Sequence, residues 1–141
     1  MKFTVTKADV WMATIEDREG GAAEKLEPLA KAGASLEFVL VHRLPEQAGK
    51  GVAYVAPIEG VRAISVAQEA GFEKVVNFCK LRIEGADEPG LGAEITRAVA
   101  NAGISLRGLT STVIGGKFVA YLTLDKTQDA AKAMSVLNNL T

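Results

Sequence analysis

The 141-residue chain has room for one ordinary domain or two small ones, and 48% hydrophobic residues promise a sizeable core. Sixteen basic residues against seventeen acidic ones give a net charge of −1, which removes the basic surplus that drives nucleic-acid binding. A single cysteine, Cys79, excludes an internal disulfide and suits a reducing cytoplasm, and no apolar run approaches the roughly 20 residues a membrane helix needs.

Phe3 and Val5 alternate with Lys2, Thr4 and Thr6, which predicts a short strand over 2–6 rather than a signal-peptide core. Residues 10–15 are nearly all apolar, the pattern of a strand covered on both faces. Asp17-Arg18-Glu19-Gly20-Gly21 is a turn, followed by a helix to about Ala32 with Leu26, Leu29 and Ala30 on one side and Gly33 as its stop. A strand over 36–41, a loop over 44–51 and a strand over 52–56 come next. A helix over 59–70 then presents Val61, Ile64 and Ala67 or Gln68 inward and ends at Gly71. Strands over 72–76 and 78–83 precede the turn Asp87-Glu88-Pro89-Gly90. Leu91, Ile95, Ala98, Val99 and Ala102 form the apolar stripe of the next helix, stopped by Gly103. Residues 106–114 and 117–124 read as strands around the tight Gly115-Gly116 hairpin. Thr127 is placed to cap a last helix with Ala130, Ala133, Met134 and Leu137 inward.

The chain repeats itself. Residues 17–36 and 87–106 align at a constant offset of 70, with nine of twenty positions identical, where unrelated segments would share about one. At an offset of 67, Gly-Lys-Gly-Val-Ala-Tyr (49–54) matches Gly-Lys-Phe-Val-Ala-Tyr (116–121). Each copy reads strand, strand, helix, strand, strand, helix. A ferredoxin-like β-α-β-β-α-β unit has one strand before its first helix and one after its second. The 72–76 strand closes the first unit, and the second lacks its closing strand while a spare one stands at the N-terminus. Because an unpaired sheet edge is a liability, the N-terminal strand is expected to complete the second unit. The fold class is therefore α+β, two tandem βαββαβ units with antiparallel sheets and helices on one face. Their expected extents are 8–77, and 78–141 together with 1–7.

The run from Leu81 to Ile95, an apolar strand, then Asp87, Pro89, Gly90 and Leu91, then a helix leading into Asn101-Ala102-Gly103-Ile104-Ser105-Leu106, resembles the ACT domain, a small amino-acid-binding regulatory module. Asp17, Gly20, Leu29, Gly33, Ser35 and Leu36 fit the same pattern in the first copy. That copy departs from it at the turn, where Arg18-Glu19-Gly20-Gly21 stands in place of Glu88-Pro89-Gly90-Leu91. The resemblance implies a free amino acid bound where modules adjoin, between the strand–helix turn of one and the second strand of its neighbour. One such site would draw on Asp17, Arg18, Glu19, Gly20 and Gly21 facing Thr110, Ser111 and Thr112. The other would draw on Asp87, Glu88, Pro89, Gly90, Leu91 and Gly92 facing Val39, Leu40 and Val41. The physical basis stands beside the resemblance: the first amides of a helix carry partial positive charge for a carboxylate, and an aspartate accepts from an ammonium. The simpler reading of Asp17 and Asp87 is that they cap helices.

His42, the only histidine, reads as a solvated strand end, and one His with one Cys gives no support for a metal site or Cys/His catalysis. Arg18 has no asparagine on the following strand to act with in acylphosphatase-like chemistry, and Phe118 and Tyr121 fall on opposite strand faces, unlike the stacking platform of an RNA-recognition module. Trp11 is expected in the core, and Lys50 and Lys117 at solvated hairpin ends. No catalytic residue, cofactor or metal is expected, and no nucleic-acid or membrane partner. Val10 and Met12 stand where the other copy has Lys80 and Arg82, so one sheet face carries surplus apolar surface, which points to a homodimer. The reading is a cytoplasmic regulatory protein that binds a free amino acid; the alternative is a non-catalytic interaction subunit of an amino-acid-metabolism enzyme acting without its own ligand.

Overall fold

The computed structural model describes residues 3–140; Lys2, the first residue of the expected N-terminal strand, and Thr141 lie outside the described residues. In chain order the elements are β1 (Phe3–Ala8), β2 (Trp11–Glu16), α1 (Gly21–Lys31), β3 (Phe38–Arg43), β4 (Lys50–Ala56), α2 (Val61–Glu69), β5 (Glu73–Lys74), β6 (Cys79–Ala86), α3 (Leu91–Asn101), β7 (Gly108–Ile114), β8 (Lys117–Leu124) and α4 (Thr127–Asn138). They form two antiparallel four-stranded sheets, ordered β1-β6-β8-β7 and β3-β4-β2-β5. Contacts divide the chain into a unit of Asp9–Val75 and a unit joining the segment up to Ala8 to that from Val76 onward.

In the contiguous unit, Trp11, Ala13 and Ile15 alternate inward along β2, meet Ala53 and Val55 of β4, and are covered by Leu29 of α1 and Ala63 and Ala67 of α2. Thr14 and Glu16 are exposed, so β2 follows a one-sided pattern and is not covered on both faces. Val10, just before it, is only 3% exposed, so the surplus apolar surface expected from it is not available to another chain. The inward face of α2 also differs from the sequence reading. Val61 is 88% exposed, while the small residues Ala63 and Ala67 are buried, because their short side chains let the helix sit close to the sheet. β5 is two residues long and pairs Glu73 and Lys74 with Met12 and Trp11, shorter than the expected 72–76. Phe72 leaves the ladder to fill the core, and Val75 keeps one further bond, its N–H donating to the Val10 carbonyl at 2.8 Å.

The split unit is completed by β1, which runs antiparallel to β6 from Phe3 opposite Gly85 to Ala8 opposite Lys80. Phe3 and Val5 enter the core formed by Leu81 and Ile83, Phe118, Ala120, Leu122 and Leu124, and the stripes of α3 and α4. The N-terminal strand thus closes the sheet of the second copy, as the edge argument requires. β7, at the opposite edge, is exposed along Leu109–Ile114 and gives nothing to the core. Lys126, not Thr127, precedes α4 as its cap, and no side chain bonds there.

The two copies match in pairing register as well as in order. Glu16 stands opposite Lys50 as Ala86 stands opposite Lys117, and Arg43 opposite Gly51 as Val113 stands opposite Phe118. Both sheets then turn into a helix through a left-handed glycine, Gly20 and Gly90, each with φ of 81°. That conformation costs glycine nothing and strains any residue with a Cβ, which accounts for the identity at this position.

Candidate functional site

The turn between β2 and α1 is built from backbone bonds. The Asp17 N–H donates to the Gly49 carbonyl at 3.0 Å, the Gly21 N–H to the Arg18 carbonyl at 3.0 Å, and the Glu24 N–H to the Gly20 carbonyl at 3.0 Å. The Asp87 N–H makes the matching bond to the Gly116 carbonyl at 2.8 Å. The two segments that repeat in the sequence, the Asp-x-x-Gly turn and the Gly-Lys strand start, therefore touch each other in both units. Neither aspartate caps its helix: Gly20 and Gly90 hold the cap positions, and no side-chain cap bond forms.

Asp17 is instead engaged by Arg43, whose Nε donates to Oδ1 at 3.1 Å and Oδ2 at 3.0 Å. Arg18 Nη2 donates to Glu24 Oε1 at 2.5 Å, and Lys50 Nζ to Glu16 Oε1 at 2.6 Å. The Lys50 bond lowers the Glu16 pKa below its ordinary value, and the Glu24 bond raises that of Arg18. His42 donates from Nδ1 to the neighbouring Arg43 carbonyl at 2.8 Å. Between these groups lies a cleft of about 230 Å³ lined by Ile15, Glu16, Asp17, Arg18, Ala22, Val41, His42, Arg43 and Gly51.

Two glycines shape this cleft by close approach. A Cβ on Gly21 would lie 2.1 Å from the Glu16 carbonyl oxygen, and one on Gly51 would lie 2.8 Å from the His42 carbonyl oxygen and 3.0 Å from Ile15 Cγ1. Bulk is exchanged between the copies at this point. Ile15 faces Gly51 in one, whereas Gly85 faces Phe118 in the other, and Phe118 packs into the core. The second unit has a broader groove of about 580 Å³ lined by Thr4, Glu84, Gly85, Ala86, Gly115, Gly116 and Lys117.

Of the residues expected to hold a ligand, Asp17, Arg18 and Val41 line the cleft of the Asp9–Val75 unit. Glu19 and Gly20 sit on the exposed turn, Gly21 closes up behind it, and Val39 and Leu40 lie farther along β3 without lining the cleft. Leu91 is buried in the core of its unit. Asp87, Glu88, Pro89, Gly90 and Gly92 border neither the cleft nor the groove, and Thr110, Ser111 and Thr112 are exposed on the edge strand β7. Glu16, His42, Arg43 and Gly51 were missed by sequence reasoning. The signal for them was the second repeat: once Gly49 and Gly116 are equivalent, the hairpin register carries Arg43 back toward the Asp17 turn.

In the split unit, Glu84 receives Arg82 Nη1 and, at 2.7 Å, Lys117 Nζ; both repeated lysines, Lys50 and Lys117, have solvent-exposed side chains at their hairpin ends, as expected, and each also holds a carboxylate. The two cations depress the Glu84 carboxyl from 4.5 to about 2. A carboxyl lowered in the folded state stabilises the fold above its unfolded pKa and loses that contribution as pH falls through the folded one. Urea titrations should therefore show Glu84→Gln with a shallower loss of stability than the parent between pH 4.5 and about 2. Equal slopes would remove the assignment.

The two sheets have the strand order of ferredoxin-type α+β units, one four-stranded sheet in each. No protein-family profile matches the sequence. No curated protein matches it either. Solved structures do. A protein from Bacteroides thetaiotaomicron aligns with a TM-score of 0.77 at 14% identity, covering 95% of this chain and 90% of the other. The ligand-free regulatory subunit of aspartate kinase from Thermus thermophilus aligns at 0.62 and 18%, covering 100% and 98%. The regulatory subunit of aspartate kinase from Thermus flavus aligns at 0.56 and 17%, covering 96% and 95%. At these identities the likeness is one of fold. Among the described residues no helix is long and apolar enough to cross a membrane, and no group of three or more His, Cys, Asp or Glu is placed to hold a metal ion.

Proposed function

We propose that this chain is a regulatory protein that binds a free amino acid at the strand–helix turn of its Asp9–Val75 unit. The observation that carries the reading is the cleft beside Asp17, small against the roughly 300–1,000 Å³ of pockets for drug-sized ligands and lined by both signs of charge. An amino acid presents one ammonium and one carboxylate, and the turn offers acceptors and donors for each. The likeness to two aspartate kinase regulatory subunits supports a regulatory role, and an enzyme of amino-acid metabolism is the partner class that role implies. Regulation then follows if the ligand binds one assembly or partner-bound state more tightly than another, since equal affinity shifts nothing.

The test is a thermal-shift panel of the twenty standard amino acids on the full chain. One or a few should stabilise it saturably, by about 2.7 kcal/mol at a hundredfold excess over Kd. A panel with no saturable shift overturns the proposal.

A further inference from the structure

Resting on that reading, we infer that the Asp17–Arg43 ion pair is the element the amino acid opens, and that the chain takes one such ligand in its Asp9–Val75 unit alone. The pair lies at the cleft, with the Arg43 side chain 82% exposed and that of Asp17 34% exposed. Such a pair is loosely held, because water competes for both partners. Asp17 is anchored by its backbone bond to Gly49, whereas Arg43 is the last residue of β3 and carries a long, exposed side chain.

The charges of the pair are those of a zwitterion in reverse. An ammonium placed in the cleft takes over the Asp17 oxygens. The guanidinium so released meets the adjacent carboxylate through its planar fork, a geometry that a lysine ammonium lacks. Arg18, on the same turn, is already matched by Glu24 and takes no part in the exchange. Inserting the ligand thus exchanges one ion pair for two and leaves no charge unmatched.

The other unit lacks this arrangement. The position of Arg43 is held by Val113, that of Arg18 by Glu88, and that of Gly51 by Phe118, whose ring is in the core. Asp87 keeps the acidic half without the guanidinium, and the nearby Lys117 is held by Glu84.

The experiment uses calorimetry on the full chain with the twenty standard amino acids, together with glycinamide and acetate as the two halves of the zwitterion. The tightest amino acid should bind with one equivalent per chain, and neither half-ligand should bind. Arg43→Val should weaken it at least tenfold with unchanged circular dichroism, Arg43→Lys should weaken it less, and Asp87→Asn should leave it unchanged. An amino acid that binds the parent chain and Arg43→Val equally overturns this inference while leaving the amino-acid reading in place, as do two equivalents per chain. No binding to the parent chain overturns both.

Discussion

Phe3→Ala should lower the stability of this protein by about 3–5 kcal/mol, a fall in Tm on the order of 10 °C. Phe3 is 3% exposed and shares its core with Ile83, Leu91, Phe118 and Leu137. Truncation removes the ring and leaves a void that a strand pinned between Gly85 and Lys80 on β6 cannot close. The consequence extends beyond one side chain. Without β1, β6 becomes a bare edge and the core beneath it opens to solvent. Chemical denaturation of Phe3→Ala beside Phe3→Leu measures it. A loss below about 1 kcal/mol for the alanine variant would mean that β1 is a loose flap and not part of the core.

Gly21→Ala and Gly92→Ala should move stability in opposite directions, although alignment places them one residue apart in equivalent helix starts. Helix propensity alone favours alanine at each by roughly 0.5–1 kcal/mol. At Gly92 nothing lies within 4 Å of the added Cβ, so the gain should be realised. At Gly21 the Cβ would meet the Glu16 carbonyl oxygen at 2.1 Å, a backbone atom that cannot step aside. Relief requires moving the start of α1 away from β2, at a cost of about 2–3 kcal/mol or more against the propensity gain. The same displacement widens the Asp17 turn, so affinity for the proposed amino-acid ligand should fall with stability. Equilibrium unfolding of the two variants checks the signs; a stabilised Gly21→Ala would show that the tight approach of helix and strand is not obligatory.

These contrasts mark where the amino-acid pattern speaks and where it does not. Element order was legible because alternation in strands and the i, i+3, i+4 stripe of α3 are local, and Leu91, Ile95 and Val99 are indeed the buried positions of that helix. The closure by β1 was legible because each unit needs four strands and one spare strand stood at the N-terminus. The inward face of α2 was not, since hydrophobicity weighs Val61 above Ala63, while packing distance rewards the smaller side chain. The strand expected over 36–41 begins at Phe38, and Leu36 packs against the core from the preceding loop. The chemistry around Asp17 depends on Arg43, 26 residues away, and on a hairpin register that no local spacing encodes. A capping aspartate and a salt-bridged one look alike in sequence; only the left-handed glycine at the cap position separates them.

The split unit imposes an order on biosynthesis. Phe3 leaves the ribosome long before its partner Gly85 exists, whereas every strand of the Asp9–Val75 unit finds its neighbours within that unit. During translation the cleft-bearing unit can therefore be finished while β1 still waits as an unsatisfied strand, and the last sheet closes only after Leu124 has emerged. Any delay in synthesis downstream of Val75 prolongs the life of a nascent chain with one finished lobe and one exposed, β-prone leader.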